Sequence, residues 1–375
     1  MMITRWAAVA ILLSSATITD LRAEEGAGGP IKIGAIIPLT GGGASLGKSE
    51  LNGAMLAMKQ INGNGGVNGR PISIIHEDDR TNADTAISKA NELIYGQKVV
   101  ALIGPGQTAS TVAVGGITDP LKIPILSYSG LGPEVEKTRK CVLHMAPAQD
   151  LNAKAMLSYA KSVGATRVGV LYDSGFGTIV FTQVNRFAAD YGVTIVASEK
   201  FEIAATDTTT QAAKVRAANP EALLVLGVTG TPIRNLRALQ MNQLIISSIA
   251  QATYPIVAAM GENISDVVFA EFLVAEDPLP NQTEFVKLYT AAYGAPPKAP
   301  EALGWDSVQA IAAALKKVGP NPPQGALCDA LRNPYQGVTA AYDFSAPDMT
   351  GMTLKSYVFS KITNSKFSRV PFKID

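Results

Sequence analysis

Short runs of branched apolar residues alternate along the chain with longer stretches in which apolar positions recur every three or four residues. The runs "IKIGAIIPL" (31–39), "PISIIHE" (71–77), "VVALIG" (99–104) and "IPILSY" (123–128) predict strands. Between them, 47–62, 83–96 and 109–120 have helical periodicity, and Gly, Pro and Asn punctuate the joins. A helix between successive strands makes a crossover connection, so the pattern predicts a parallel sheet covered by helices on both faces. A second series begins after "VLHMAP" (142–147). It predicts helix 149–163, strand 167–173, helix 177–191, strand 193–201, helix 208–218, strand 222–228, helix 231–241, and strands 244–250 and 266–274. Helices at 281–293 and 301–318 follow, then late strands at 337–344 and 353–362. Two β-α series of similar size predict two similar lobes.

The first residues break this pattern. "MMITR" is followed by the short apolar core "WAAVAILLSSATI" and by "LRA", ending at Ala23. This is the layout of a secretory signal, residues 1–23, with a core too short to span a bilayer comfortably. The mature chain is therefore expected in the periplasm and, lacking another long apolar stretch, in solution. Its roughly 350 residues suit two domains rather than one small core.

Composition removes several function classes. Lys and Arg exceed Asp and Glu by one, and 17% of residues are charged, which leaves no nucleic-acid footprint. Two cysteines, Cys141 and Cys328, lie far apart. An oxidising compartment permits a bond between them, but sequence leaves bonded and free states open. With only His76 and His144 besides, no metal-ligand spacing arises, and no cofactor is implied.

One motif asks for catalysis. "GGASLGKS" (42–49) fits the phosphate-cradling pattern G-x-x-x-x-G-K-[ST]. An exported chain meets essentially no ATP, and the stretch reads more simply as a strand-to-helix turn of small residues with Lys48 solvated. "HEDD" (76–79) ends a strand and reads as a loop in which Asp78 or Asp79 bonds local backbone, in preference to a metal site. No G-x-S-x-G or H-E-x-x-H occurs, and no enzyme is expected. More informative are "IGPGQTAST" (103–111) and "LSYSGLGPE" (126–134), which run from strand to helix. They place hydroxyls and helix N-terminal N–H groups at the carboxyl edge of a parallel sheet, where α/β proteins bind ligands. Helix capping alone would also explain them. "YDSGFGT" (172–178) is the matching loop of the second lobe.

Taken in order, "IKIGAIIPLTG", "LNGAMLAMKQINGNGGVNGRPISIIHEDD", "ALIGPGQTAST", "PILSYSGLGPE", "RVGVLYDSGFG" and "GWDSVQAIAAALKKVG" resemble the leucine/isoleucine/valine-binding branch of type I periplasmic solute-binding proteins. The resemblance covers about 31 to 362. It implies two doubly wound parallel-sheet lobes joined by three crossovers, near 147, 275 and 340. Lobe 1 would be 24–147 plus 276–340, and lobe 2 would be 148–275 plus 341–375. It also implies capture of a small molecule by lobe closure and delivery to an ABC permease of the inner membrane, by a monomer with no nucleic-acid partner. A ligand sensor of the same fold, signalling to a receptor or regulator, is the alternative. Carried over residue by residue, Gln107, Thr108, Ser129 and Gly130 are expected to hold a ligand carboxylate, and Leu46, Leu131 and Phe176 to pack its apolar body. Thr229 joins the candidate ligand contacts. Gln251 stands where amino-acid binders place an acid. The missing acid favours an organic carboxylate without an ammonium, such as an aromatic or short-chain acid, over a branched-chain amino acid.

Overall fold

The computed structural model describes residues 28–131, 137–346 and 351–374. The expected export signal lies outside them. The first series builds a five-stranded parallel sheet from β1 (Ile31–Ile36), β2 (Ile72–Glu77), β3 (Ala101–Ile103), β4 (Ile125–Ser127) and β5 (Val142–His144), in the order β2-β1-β3-β4-β5. Its connecting helices are α1 (Ala44–Gly63), α2 (Ala83–Asn91) and α3 (Thr108–Leu121). After α4 (Gln149–Ser162) the second series repeats the arrangement. Here β6 (Arg167–Asp173), β7 (Thr194–Phe201), β8 (Ala222–Leu226), β9 (Leu244–Ser247) and β10 (Val267–Glu271) take the order β7-β6-β8-β9-β10, all parallel. Each sheet thus has its first strand beside its second and third, the same doubly wound topology twice. Helices α5 (Phe176–Phe187), α6 (Thr209–Ala217), α7 (Thr231–Ala238) and α8 (Tyr254–Ala259) belong to this second lobe.

The remainder returns to the first lobe and then to the second. α9 (Thr283–Tyr293) and α10 (Ala299–Val318) come first. α10 lies directly on α1, because each helix has a glycine at the crossing. A Cβ on Gly53 would fall 1.8 Å from Glu301 O, and one on Gly304 would fall 1.9 Å from Glu50 O. Any side chain at either position would force the backbones apart. α11 (Ala326–Leu331) is bonded back to the first lobe through Cys141–Cys328, a disulfide between residues 187 apart.

The late strands differ from expectation. The stretch 337–344 is not one strand. It holds half of a minimal hairpin, β11 (Tyr335–Gln336) with β12 (Ala341–Tyr342). Expected strand 353–362 begins with a 3₁₀ turn at Leu354–Ser356 and becomes β13 (Val358–Thr363), which β14 (Lys366–Val370) follows unanticipated. Both add antiparallel beyond β10, so the second sheet is mixed, with seven strands. Among the described residues no helix is long and apolar enough to cross a membrane.

Candidate functional site

In a sheet of this order the crevice opens beyond the carboxyl ends of the strands, where the connections leave the first and third strands in opposite directions. Each lobe supplies such an edge. In the first, the edge consists of the loops after β1, β3 and β4.

The loop after β1 is "PLTGGGAS", the nucleotide-like stretch. Its geometry explains the pattern without a phosphate. A Cβ on Gly47 would lie 2.0 Å from Pro38 O, so this glycine is needed for helix-to-loop packing, and Lys48 is exposed. Asp78 holds the loop in place. Its carboxylate accepts from the N–H groups of Leu39 (2.8 Å), Thr40 (3.3 Å) and Arg80 (2.9 Å) and from the Thr40 hydroxyl (2.6 Å). Burial opposes its charge, but these donors together draw it down to about 2. The "HEDD" acids therefore organise backbone, as expected, and Asp79 likewise accepts from Thr81 N–H at 3.1 Å.

The loops after β3 and β4 meet at Thr108 and Ser129, whose hydroxyls are 2.7 Å apart and half-buried. Thr108 also reaches Gly130 O at 3.3 Å. Gln107 is the residue before α3, and its side chain makes no cap; it is exposed at the same edge. The first N–H groups of a helix lack intrahelical acceptors, and here they stand beside two hydroxyls. Deeper, Ser127 and Thr111 bond to one another at 2.7 Å and support the pair from below. Leu46 is half-buried in the first turn of α1, at the same edge of the lobe. Leu131 departs from expectation. It is 3% exposed and packs in the core cluster with Ile36, Val114 and Val142, so it lines no slot.

In the second lobe Asp173, at the end of β6, takes the organising role. Its Oδ1 accepts from Gly175 N–H (2.9 Å) and Gly177 N–H (2.7 Å), and its Oδ2 accepts from Val228 N–H (3.1 Å). Burial raises its pKa against those three bonds. One carboxylate thereby joins the loops after β6 and β8. The first presents Phe176, half-buried at the start of α5; the second presents Thr229, whose buried hydroxyl has no partner among the described residues. Gln251 is the second correction. It is fully buried, and its amide is spent on the fold, with Oε1 accepting from the Ser247 hydroxyl at 2.5 Å and Nε2 donating to Thr229 O at 2.7 Å. It fixes the loop that carries Thr229 instead of meeting a ligand. A small cavity lined by Leu143, Ala314 and Tyr342 contains none of these loop residues.

Sequence reasoning missed Glu50. It is 5% exposed and lies under the first-lobe loop, with Oε2 3.4 Å from where a Cβ on Gly106 would stand. The signal was present: residues 50, 54, 57 and 61 form one stripe of α1, and the other three are Ala54, Ala57 and Ile61. Burial, then Glu301 and Asp79, push its carboxyl up to about 8. The folded state therefore keeps a proton that the unfolded chain, at 4.5, has released. Between these values the folded form binds more protons, so stability falls as pH rises toward about 8. Glu50→Gln should remove this slope and stabilise the protein at pH 8.5 by about a few kcal/mol. Denaturant midpoints measured from pH 5 to 9 check this, and parallel profiles for the two proteins would refute it.

A family model described as periplasmic binding protein matches residues 30–365. Leu/Ile/Val-binding protein homolog 7 of Brucella suis is 25% identical over 309 residues, 77% of each chain. Homolog 8 of Brucella abortus is 24% identical over 319 residues, 79% of this chain and 77% of the relative. Among solved structures, the branched-chain amino acid transporter substrate-binding protein LivJ of Streptococcus pneumoniae, in complex with isoleucine, superposes with a TM-score of 0.80 at 24% identity, covering 91% of this chain and 99% of that one. A leucine-binding protein LivK of Thermotoga maritima gives a TM-score of 0.79 at 22% identity, covering 91% and 97%.

Proposed function

Because the chain belongs to the periplasmic binding protein family, we propose that it is the solute-binding component of an ABC importer. In this reading it works in the periplasm as a monomer, closes its two lobes over a small organic carboxylate and presents it to a membrane permease. Lobe 1 is 24–147 with 276–340, and lobe 2 is 148–275 with 341–375. The observation that carries the reading is the Thr108–Ser129 hydroxyl pair at the N-terminus of α3, on the crevice edge of a doubly wound sheet. Leu46 and Phe176 supply apolar surface from either lobe, and Gln107, Gly130 and Thr229 complete the polar edge.

The way the nearby acids are used supports one ligand class over another. An ammonium in a closed, water-poor pocket needs an anionic or strongly accepting partner. Asp173 is committed to three backbone N–H groups, and Glu271 to Lys298 at 2.5 Å. Gln251 is likewise spent. We therefore place an acid without an ammonium, aromatic or short-chain, ahead of a branched-chain amino acid. The second reading is favoured by the relatives' names and by the isoleucine bound to the pneumococcal protein.

A thermal-shift panel of leucine, isoleucine, valine, benzoate and short aliphatic acids separates them. A ligand at about 100 times its Kd stabilises by about 2.7 kcal/mol. Stabilisation by the amino acids alone would reverse the order. For whichever compound binds, Thr108→Val should weaken it by about ten- to 150-fold, the loss of one hydrogen bond to a charged group. Calorimetry giving an unchanged Kd would remove Thr108 from the site.

A further inference from the structure

The chain passes between the two lobes three times: after β5, after β10, and between α11 and β13 by way of the β11–β12 hairpin. Three side chains, none exposed by more than 1%, join these passages to one another. Gln282 sits just before α9, and its Nε2 donates to two carbonyls, Phe272 O on the second passage and Val338 O on the third, each at 2.9 Å. Its Oε1 accepts from Leu279 N–H at 3.0 Å, so the amide is fully used. Asp306 of α10 accepts from Val338 and Thr339 N–H, both at 2.8 Å, and fastens the same turn to the first lobe. Tyr342 donates its hydroxyl to Met145 O at 3.1 Å and so ties the third passage to the first.

We propose that Gln282, together with Asp306 and Tyr342, is a hinge clamp: it holds the three crossovers as one unit, so that the lobes turn about a fixed axis instead of flexing independently at each linker. The bonds bear this out in their placement. The bonds to the β11–β12 turn and from Tyr342 to Met145 connect segments 32 or more residues apart, and with the Gln282–Phe272 bond they reach all three passages. Unpaired, the carbonyls they satisfy would be buried acceptors, a cost that favours one arrangement of the linkers. Gln282 and Tyr342 act through the linkers and touch no ligand loop, so they are positioning residues. The proposal rests on reading the chain as a two-lobed capture protein, but its test uses no ligand, so a wrong ligand or transport reading leaves the test intact.

The test measures inter-lobe distances by pulsed electron resonance on the ligand-free full chain. Spin labels are placed at the exposed positions Asn91, on α2, and Asn185, on α5. Gln282→Met keeps the length and removes the donors, and Tyr342→Phe removes only the hydroxyl. Gln282→Met should broaden the distance distribution about twofold, and Tyr342→Phe should broaden it less. Ile33→Val, a core truncation in β1 remote from the linkers, should lower the melting temperature without broadening. Distributions for both clamp variants that superpose on the wild type overturn the proposal, as does equal broadening in Ile33→Val. Should Gln282→Met fail to fold, Tyr342→Phe decides.

Discussion

Reducing the Cys141–Cys328 bond should cost the protein about 5 kcal/mol, the largest loss expected from breaking a single link. The bond closes a loop of 187 residues, and the chain-entropy treatment assigns a loop of that length about 5 kcal/mol of constraint on the unfolded state. What the loop encloses gives the number its significance. Between the two cysteines the chain leaves the first lobe, builds β6 to β10, and returns as α9 to α11. The disulfide thus fastens the returning segment to β5 at the lobe's edge. Both cysteines are buried, at 4% and 2% exposure, so cleavage under native conditions should be slow and should need partial unfolding. The expected result is a melting temperature about 5–10 °C lower for Cys141→Ser/Cys328→Ser than for the oxidised wild type, in the same buffer. A double variant that melts with the oxidised protein would show that the returning helices hold by packing alone, through the Gly53–Gly304 contact.

The β-α alternation was legible because parallel strands covered on both faces read as unbroken apolar runs. β8, "ALLVL", is buried at every position, as is β10, "VVFAE". β13 and β14 gave a weaker signal: "VFSKIT" and "KFSRV" each bury only part of their length and carry exposed lysines, so their pairing depends on β10 being there first. That Thr108, Ser129 and Gly130 meet at the carboxyl edge of the first sheet was legible, since loop chemistry and strand order are both local in sequence. The misplacements at Leu131 and Gln251 have a different origin. Each stands on a loop at a crevice edge, but the direction of its side chain is set by what lies behind the loop. For Leu131 that is a gap in the core among Ile36, Val114 and Val142. For Gln251 it is a hydroxyl at the end of β9 and a carbonyl 22 residues away. No pattern along the chain encodes those neighbours.

Lys298→Met should destabilise the protein by about 3–5 kcal/mol, because it strands a carboxylate in the interior. Lys298 immediately precedes α10, and its ammonium lies 2.5 Å from Glu271 Oε2, with the two side chains 3% and 0% exposed. The ammonium also donates to Leu273 O at 3.2 Å and sits 3.5 Å from the centre of the Phe367 ring, on β14. Glu271 accepts in addition from the Ser360 hydroxyl on β13. One ion pair therefore joins the last parallel strand and both antiparallel strands of the second lobe to the helix that packs on the first. Burial raises the pKa of Glu271 even against the attraction of Lys298 and the bond from Ser360. Without the lysine it rises further, and the folded variant takes up a proton that its unfolded chain does not hold at neutral pH. The loss should then be smaller at low pH, where both states are protonated, and should grow as pH rises. Lys298→Met/Glu271→Gln separates the missing contact from the stranded charge. If the charge dominates, the double variant recovers most of the stability at neutral pH and its pH profile flattens; if packing of the lysine stem against Phe367 dominates, it recovers none. Chemical denaturation of the three proteins at pH 5 and pH 8 measures both terms, and a single variant within about 1 kcal/mol of wild type at pH 8 would mean that water or a local shift solvates Glu271 once its partner is gone.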